Sequence, residues 1–243
     1  MKDFSVTAVI LATDESSSLI ETVNYMFNEC TETVDKALLV LSRNASPMCV
    51  DACNCLSEKY GNRVEITVQT EDGLGNAALH SLKYVKTSHM TFFPADMAIE
   101  LKSLDKMIEI AKDNPDVIVK TSRWLEKGSF IEYSKVRMVL NRVAQTFLRI
   151  LFLTDLTDLT NPVQLIPSAY EKKIKWKEKG FCTLIEHTIV PVRFRYKFVE
   201  VPVKCFPRTE GKSKNSWLQT MLYLKTAIRI RFTPKSKLYG KDI

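Results

Sequence analysis

The sequence predicts an α/β protein whose mostly parallel sheet is covered by helices on both faces. Short apolar runs alternate with segments whose apolar residues recur at helical spacing, and serine, proline and glycine residues typical of helix ends separate them. Strands that are joined by helices pair in parallel through right-handed crossovers. Neither an internal repeat nor a low-complexity linker divides the 243 residues, so residues 1–243 are predicted to form one domain.

The first half of the chain is predicted to alternate strictly between strand and helix. The strands are VTAVILAT, KALLVLS, RVEITVQ, HMTFF and DVIVKTS, in chain order. The helices between them are SSSLIETVNYMFNEC, the segment that opens at Ser46-Pro47, GNAALHSLKYVKT and SLDKMIEIAKD. Ser46 is a typical N-cap before a proline, and Gly61 is a typical end for the same helix.

The second half begins with a long predicted helix, from about Tyr133 to Leu153. The polar turn TDLTDLTNP follows, with Asn161-Pro162 as a breaker. Further predicted elements are a helix over SAYEKKIKWKEKG, a strand over YKFVEVPVKCF and a basic amphipathic segment over LQTMLYLKTAIRIRF. FCTLIEHTIVPVRFR has no single interpretation, and Pro191 marks a place where a helix can end.

Composition and charge narrow the classes of function. Apolar residues make up 45% and charged residues 26%, as in soluble globular proteins, and the formal net charge is +7. A positive balance favours phosphorylated ligands, nucleic acid or an acidic membrane surface. No nucleic-acid motif or basic stretch interleaved with aromatic residues is present, so no nucleic-acid partner is expected. No signal peptide or membrane span is recognised, and six cysteines suggest reduced thiols in the cytoplasm.

Two stretches place chemically useful groups after predicted strands. MTFFPADMAIE ends an apolar run in a single carboxylate, Asp96, at the kind of position where α/β sheets bind ligands. It is a candidate to hold a metal ion or a sugar hydroxyl, and an ordinary loop aspartate is the alternative. EDGLGNA sets Gly73 and Gly75 before a helix, where backbone N–H groups can bind phosphate. Without a third glycine, a flexible turn is equally compatible.

The arginines are the other candidates. Arg123, Arg137 and Arg208 can bind phosphate because a guanidinium donates two parallel hydrogen bonds, although solvated surface charge is the alternative. The three histidines are scattered and are predicted to be structural. Cysteines 49, 53 and 55 lack a usual zinc spacing and are predicted to be plain helix residues.

Taken in order, these motifs resemble those of glycosyltransferase family 2, and within it the dolichyl-phosphate mannose synthase-like group. The resemblance rests on AVILATDESSSLIETV, LVLSRNASP, EDGLGNAAL, FFPADM, SRWLEKGS, DLTNPVQ and KFVEVPVKCFPRTEGKSK, which extend over nearly the whole chain. It implies the GT-A (Rossmann-like) fold. It also implies a nucleotide-sugar-binding half over residues 1–122 and an acceptor-binding half with amphipathic helices over residues 123–243.

The resemblance also implies roles for individual residues. Asp96 aligns with the second aspartate of the family's Asp-x-Asp motif, which would hold Mg²⁺ or Mn²⁺. The catalytic set that it implies is Asp96, Arg123, Arg137 and Arg208. The implied nucleotide-sugar positions are Thr13, Asp14, Glu15, Ser42, Asn44, Gly73 and Gly75. The implied acceptor-phosphate positions are Arg123, Arg137, Asn141, Arg208 and Lys214.

The donor side departs from the family pattern. Pro94 replaces the first aspartate of Asp-x-Asp, and Ser42 and Arg43 replace a pair of aspartates after the second strand. The resemblance, together with these departures, leaves two possible functions. The first is inverting sugar transfer from a nucleotide-diphosphate sugar to a polyprenyl-phosphate acceptor in cell-envelope glycan synthesis, on the cytoplasmic face of an acidic membrane. The second is a non-catalytic family member that binds a phosphorylated ligand or partner.

Overall fold

A computed structural model describes residues 4–210 and 217–240, which form one seven-stranded sheet flanked by helices. The strands are β1 (Val6–Ala12), β2 (Lys36–Leu41), β3 (Val64–Val68), β4 (His89–Phe92), β5 (Ile118–Ser122), β6 (Gln164–Pro167) and β7 (Phe198–Pro202). The helices are α1 (Ser17–Asn24), α2 (Pro47–Tyr60), α3 (Leu74–Ser81), α4 (Ser103–Asp113), α5 (Lys135–Phe152), α6 (Ser168–Lys173), α7 (Thr183–Arg193) and α8 (Trp217–Phe232). A π-helical turn over Tyr25–Glu29 extends α1.

The sheet has the predicted parallel character. Its strand order is β3-β2-β1-β4-β6-β5-β7. β1 pairs in parallel with β2 and β4, β2 with β3, and β5 with β7, whereas β6 pairs antiparallel with both β4 and β5. Every described strand except β6 therefore ends at the same edge of the sheet, and the loops that follow these strands meet there.

The sequence analysis missed β6, because it assigned no element to the residues between the polar turn and the helix predicted from Ser168. β6 has only four residues, and all of them are buried. A strand that is buried on both faces shows no alternation of polar and apolar residues, so periodicity could not reveal it.

Pro191 lies inside α7 and does not end it. Proline cannot donate to the carbonyl four residues earlier, which here belongs to His187. The side-chain amide of Gln164, in β6, donates to this carbonyl oxygen at 3.0 Å. A side chain from the sheet thus takes the place of the missing backbone donor, and the helix continues to Arg193.

The helix predicted over SAYEKKIKWKEKG is much shorter in the structure, because α6 ends at Lys173. Ile174 is extended and forms an isolated β-bridge with Tyr239. Farther along, the backbone N–H groups of Lys177 and Glu178 donate to the buried carboxylate of Glu186 at 2.9 and 2.8 Å. These contacts with distant residues override the helical propensity of the lysine-rich segment.

Apolar clusters bury both faces of the sheet, as predicted. One face packs against α1, α2 and α4, and the other packs against α3. A separate cluster joins α5, α7 and α8 through residues that include Leu148, Ile189 and Ile230. This cluster fixes α5, the helix that carries Arg137 and Asn141, against the rest of the second half.

Candidate functional site at the carboxyl edge of the sheet

The candidate site lies where the parallel strands end. The strand order reverses between β1 and β4, since the chain proceeds from β1 to β2 and β3 on one side and continues with β4 on the other. Ligands of open α/β sheets bind in the crevice at such a switch point. Thr13 follows β1 and Asp96 follows β4, so the loops that carry them border this crevice.

The first two loops bring together the positions predicted to bind the nucleotide-sugar. The carboxylate of Glu15 accepts the backbone N–H groups of Thr13 and Asp14 at 2.9 and 3.1 Å. The N–H of Ser46 donates to the carbonyl of Thr13 at 2.8 Å, which joins the loop after β1 to the loop after β2. In that second loop, the N–H of Asn44 donates to the Ser42 hydroxyl at 3.3 Å.

Gly73 and Gly75, in the segment from the end of β3 to the start of α3, allow the backbone of residues 178–179 to pack closely against them. The N–H of Gly75 donates to the carbonyl of Lys179 at 2.9 Å. A Cβ on Gly73 would lie 2.4 Å from that carbonyl oxygen, and a Cβ on Gly75 would lie 2.2 Å from the carbonyl oxygen of Glu178. The backbone of residues 178–179 thus packs directly against the two glycines that the resemblance assigned to the nucleotide-sugar. Nucleotide contact by these glycines stays a prediction.

Asp96 is engaged by an arginine. Its side chain is buried, and its Oδ2 lies 3.0 Å from the Nε of Arg208. Its Oδ1 accepts the N–H of Ala98 at 3.1 Å. The loops pair through their backbones as well, since Phe206 N–H donates to the Ala98 carbonyl at 2.9 Å and Thr209 N–H donates to the Asp96 carbonyl at 3.2 Å. The pairing of the two loops therefore fixes Arg208 against Asp96.

This arrangement does not fit the divalent metal that the resemblance implied. Mg²⁺ and Mn²⁺ prefer oxygen ligands, and both oxygens of Asp96 are already engaged. The neighbouring positions of the motif, Pro94 and Ala98, carry no side-chain oxygen. Within residues 4–210 and 217–240, no group of three or more His, Cys, Asp or Glu side chains is arranged to hold a metal ion.

Arg123, directly after β5, forms a buried ion pair with Asp158. Its Nε and Nη2 donate to the two carboxylate oxygens of Asp158 at 2.7 and 2.9 Å, and its backbone N–H donates to the same carboxylate at 3.1 Å. Burial alone would raise the pKa of Asp158, but the charge and hydrogen bonds of Arg123 outweigh it and leave the pKa lowered. Asp158 is therefore an ionised partner of Arg123, and the phosphate contact predicted for Arg123 stays a prediction.

A polar network connects this pair to α5. The amide of Asn141 accepts the indole N–H of Trp124 at 3.0 Å and donates to the Thr160 hydroxyl at 3.1 Å. Gln145, one turn later, donates to Asp158 at 2.9 Å. Sequence reasoning missed Gln145 and Trp124 as parts of the site. The helical spacing of Asn141 and Gln145 was the available signal, since residues four apart share one face.

The remaining predicted cations differ in their surroundings. Arg137 is exposed and lies one turn before Asn141 on α5. Lys214 lies outside the described residues.

The three histidines are buried and hydrogen-bonded, as the structural interpretation expected; His187, for example, lies 2.7 Å from the carboxylate of Glu171. Lys120, fully buried behind Arg123, was not anticipated; burial lowers its pKa to about 8.

Glu210 is a further residue that sequence reasoning missed. Its carboxylate accepts the backbone N–H and the hydroxyl of each of three consecutive serines at the start of α1, Ser16, Ser17 and Ser18, at distances from 2.6 to 3.2 Å. These hydrogen bonds, led by that of Ser17, lower the pKa of Glu210 to about 2. The contact ties the loop that carries Arg208 to the loop after β1.

The mostly parallel sheet and its switch-point crevice match the GT-A fold that the sequence motifs implied. The chain belongs to the glycosyl transferase family 2, whose family model matches residues 7–174. The subgroup suggested by the sequence motifs is not established by that match.

Solved structures of glucosyl-3-phosphoglycerate synthase from Mycobacterium tuberculosis share this fold. The complex with Mn²⁺, UDP and phosphoglyceric acid has 13% sequence identity and a TM-score of 0.69, over 96% of this chain and 81% of that chain. The complex with Mg²⁺ and UDP has 14% identity and a TM-score of 0.69, over 96% and 82%. The complex with Mn²⁺, UDP-glucose and phosphoglyceric acid has 13% identity and a TM-score of 0.67, over 96% and 82%. At these identities the likeness shows the fold alone.

We expect Gly75→Ala to lower the free energy of unfolding by about 1–3 kcal/mol, because the new methyl group would overlap the backbone of residues 178–179. Urea denaturation measures this change. Gly180→Ala is the matched control, since a Cβ there meets no atom within 4 Å. Equal stability of the two variants would contradict the packing role of Gly75.

We expect Glu210→Gln to destabilise the protein in a pH-dependent manner. The folded pKa of about 2 lies below the ordinary value of 4.5, so the contribution of the carboxylate is fully present above pH about 4.5 and is lost as the pH falls towards 2. Unfolding curves of wild type and variant should differ near neutral pH and converge in acid. Glu109→Gln, on the exposed side of α4, is the control; a difference that does not change with pH would contradict the assignment.

Proposed function

We propose that this chain transfers a sugar from a nucleotide-diphosphate sugar to a phosphate-bearing acceptor, with inversion at the anomeric carbon. The acceptor that we favour is a polyprenyl-phosphate lipid carrier. One observation carries the choice of a phosphate nucleophile: the carboxylate of Asp96 is paired with Arg208, and that of Asp158 is paired with Arg123. Neither is free to take a proton from an acceptor hydroxyl.

A phosphate acceptor removes the need for such a base. Its oxygen is already ionised and can attack the anomeric carbon as the bond to the departing nucleoside diphosphate breaks. The tasks left to the protein are positioning and charge stabilisation. Arg137 is exposed beside Asn141 and is the cation that we propose to orient the acceptor phosphate. We assign Arg208, which the resemblance placed at the acceptor phosphate, to the donor side instead, because it is paired with Asp96 after β4.

The surface of α5 supports a lipid acceptor. Val136, Val143 and Ile150 recur every seven residues, and 70%, 63% and 70% of their surfaces are exposed. Lys135, Arg142 and Arg149 recur at the same interval beside them, and α5 contains no acidic residue. An apolar stripe bordered by cations is typical of helices that lie in the headgroup region of an acidic bilayer.

Further observations bear on the membrane proposal. In the described part of the chain, no helix is long and apolar enough to cross a membrane. Arg229 lies in α8, the other basic amphipathic segment, but it binds Glu178 and Glu186 at 3.0 and 2.5 Å. We therefore assign the membrane contact to α5.

The ion pair between Asp96 and Arg208 also favours a second candidate function, that of a family member that binds a phosphorylated ligand without turnover. Both functions need the arginines. Only the first produces a glycosylated acceptor, so a transfer assay distinguishes the two.

The transfer assay uses UDP-, GDP-, CDP- and dTDP-sugars with polyprenyl phosphate in detergent, and phosphoglyceric acid as a soluble alternative acceptor. We expect a lipid-linked sugar from one donor. Arg137→Ala should lower kcat/KM by about 10- to 100-fold, the value of one charge-assisted hydrogen bond, whereas Lys106→Ala on α4 should not. Transfer to phosphoglyceric acid alone would replace the lipid acceptor, and no transfer with any pair would favour the non-catalytic function.

Sedimentation with liposomes tests the membrane contact. We expect the protein to bind vesicles that contain phosphatidylserine at low salt and to be released at high salt, because headgroup attraction is screened. The double variant Val143→Asp, Ile150→Asp should lose binding. Met48→Asp is the control, since Met48 is 67% exposed but lies on α2. Equal binding by both variants would exclude α5 as the contact.

A further inference from the structure

We propose that Arg208, held in place by Asp96, supplies the positive charge at the donor diphosphate, so that this chain binds nucleoside diphosphates without a divalent metal ion. This inference rests on the proposed function, because it concerns the donor side of the same site. It differs from what the resemblance implied, namely a metal ion held by Asp96.

The first argument is the state of Asp96. One oxygen pairs with Arg208 and the other accepts a backbone N–H, and only 6% of the residue is exposed. A metal ion at this carboxylate would have to displace Arg208 or lie beside its guanidinium. In the second case two cations would compete for one carboxylate, and the other aspartate of the motif is replaced by Pro94.

The second argument is that the position of Arg208 is fixed on both sides along the chain. Before it, Cys205 N–H donates to the Ser129 carbonyl at 2.7 Å and Phe206 N–H donates to the Ala98 carbonyl. After it, Thr209 is bound to the Asp96 carbonyl and Glu210 is bound to the serines of α1. A guanidinium held in this way is a preorganised charge, and arginine stays protonated at any working pH.

The third argument is that part of the Arg208 guanidinium side chain is exposed and can contact a ligand. Its side chain is 39% exposed although its Nε faces Asp96. The loop after β4, which carries Asp96, borders the switch-point crevice where this class of sheet binds its ligand. Guanidinium groups bind phosphate oxygens through two parallel hydrogen bonds, so the exposed nitrogens can bind a diphosphate while Nε keeps its bond to Asp96.

The two possible roles of Asp96 predict opposite results for one substitution. If Asp96 only holds Arg208, then Asp96→Asn keeps a side-chain oxygen that can accept a hydrogen bond from the guanidinium, and the backbone contacts of Phe206 and Thr209 still position the loop. The arginine charge is then less compensated, and diphosphate binding is kept or strengthened. If Asp96 is a metal ligand, the same substitution removes a coordinating charge and binding is lost. Arg208→Ala should abolish binding in the first case, and Arg208→Lys should retain part of it because the charge remains.

The experiment measures thermal stabilisation by UDP, GDP, CDP, dTDP and inorganic pyrophosphate, in Mn²⁺ and in EDTA, because a ligand that binds the folded state raises Tm. We expect the same rise of Tm in both conditions for at least one nucleotide. The rise should be lost in Arg208→Ala and kept in Asp96→Asn and in Lys106→Ala. Arg208→Lys and Asp96→Asn still decide the matter if Arg208→Ala fails to fold.

A rise that requires Mn²⁺ and disappears in Asp96→Asn would overturn this inference and leave the proposed transferase intact. A rise in EDTA that persists in both Arg208 variants would also overturn it, since another group would then bind the diphosphate. The absence of any rise, for every ligand in both conditions, would overturn the inference together with donor binding itself.

Discussion

The buried ion pair between Arg123 and Asp158 organises the second half of the site. Removing both charges from water is costly, and the cost is offset only because Asp158 accepts hydrogen bonds from Arg123, from Gln145 and from the backbone of Asn161. The pair thereby connects the end of β5, the helix α5 and the turn before β6. It also directs Arg123 towards the protein, whereas Arg137 and Arg208 are exposed and are the cations that we propose to contact the substrates.

Much of the fold was predictable from the sequence because local signals coincide with the tertiary structure in the first half. Strand and helix periods alternate there, and Ser46 caps α2 as its position before Pro47 suggested. β6 was not predictable, since it is short and buried on both faces. The local sequence could not show that α7 continues past Pro191 either. The hydrogen-bond donor that replaces the missing proline N–H is the side chain of Gln164, which lies in β6, the strand that the sequence analysis missed.

For the candidate site, the sequence motifs named residues but not the partners of those residues. Asp96, Arg123, Asn141 and Arg208 lie on loops or helix turns near the carboxyl edge of the sheet, and their roles stay predictions. They did not reveal that Arg208 pairs with Asp96, or that Glu210 binds the serines of α1. Such contacts depend on how loops that are far apart in sequence come together in the fold; Glu210 lies 192 to 194 residues from these serines. A local sequence pattern holds no information about that arrangement.

The balance of charge at the edge of the sheet connects the fold to the chemistry. A reaction between a nucleotide-diphosphate sugar and a phosphate acceptor brings two anions together, so the site must offer fixed positive charge to offset their repulsion. Both nearby aspartates are paired with arginines, and Glu210 binds the start of α1, where its charge is compensated by six hydrogen-bond donors. These carboxylates position cations and loops in this chain. In the metal-free site that we propose, the departures from the family motif and the arrangement of arginines are two aspects of one solution, because the charge that neutralises the substrates then belongs to the protein itself.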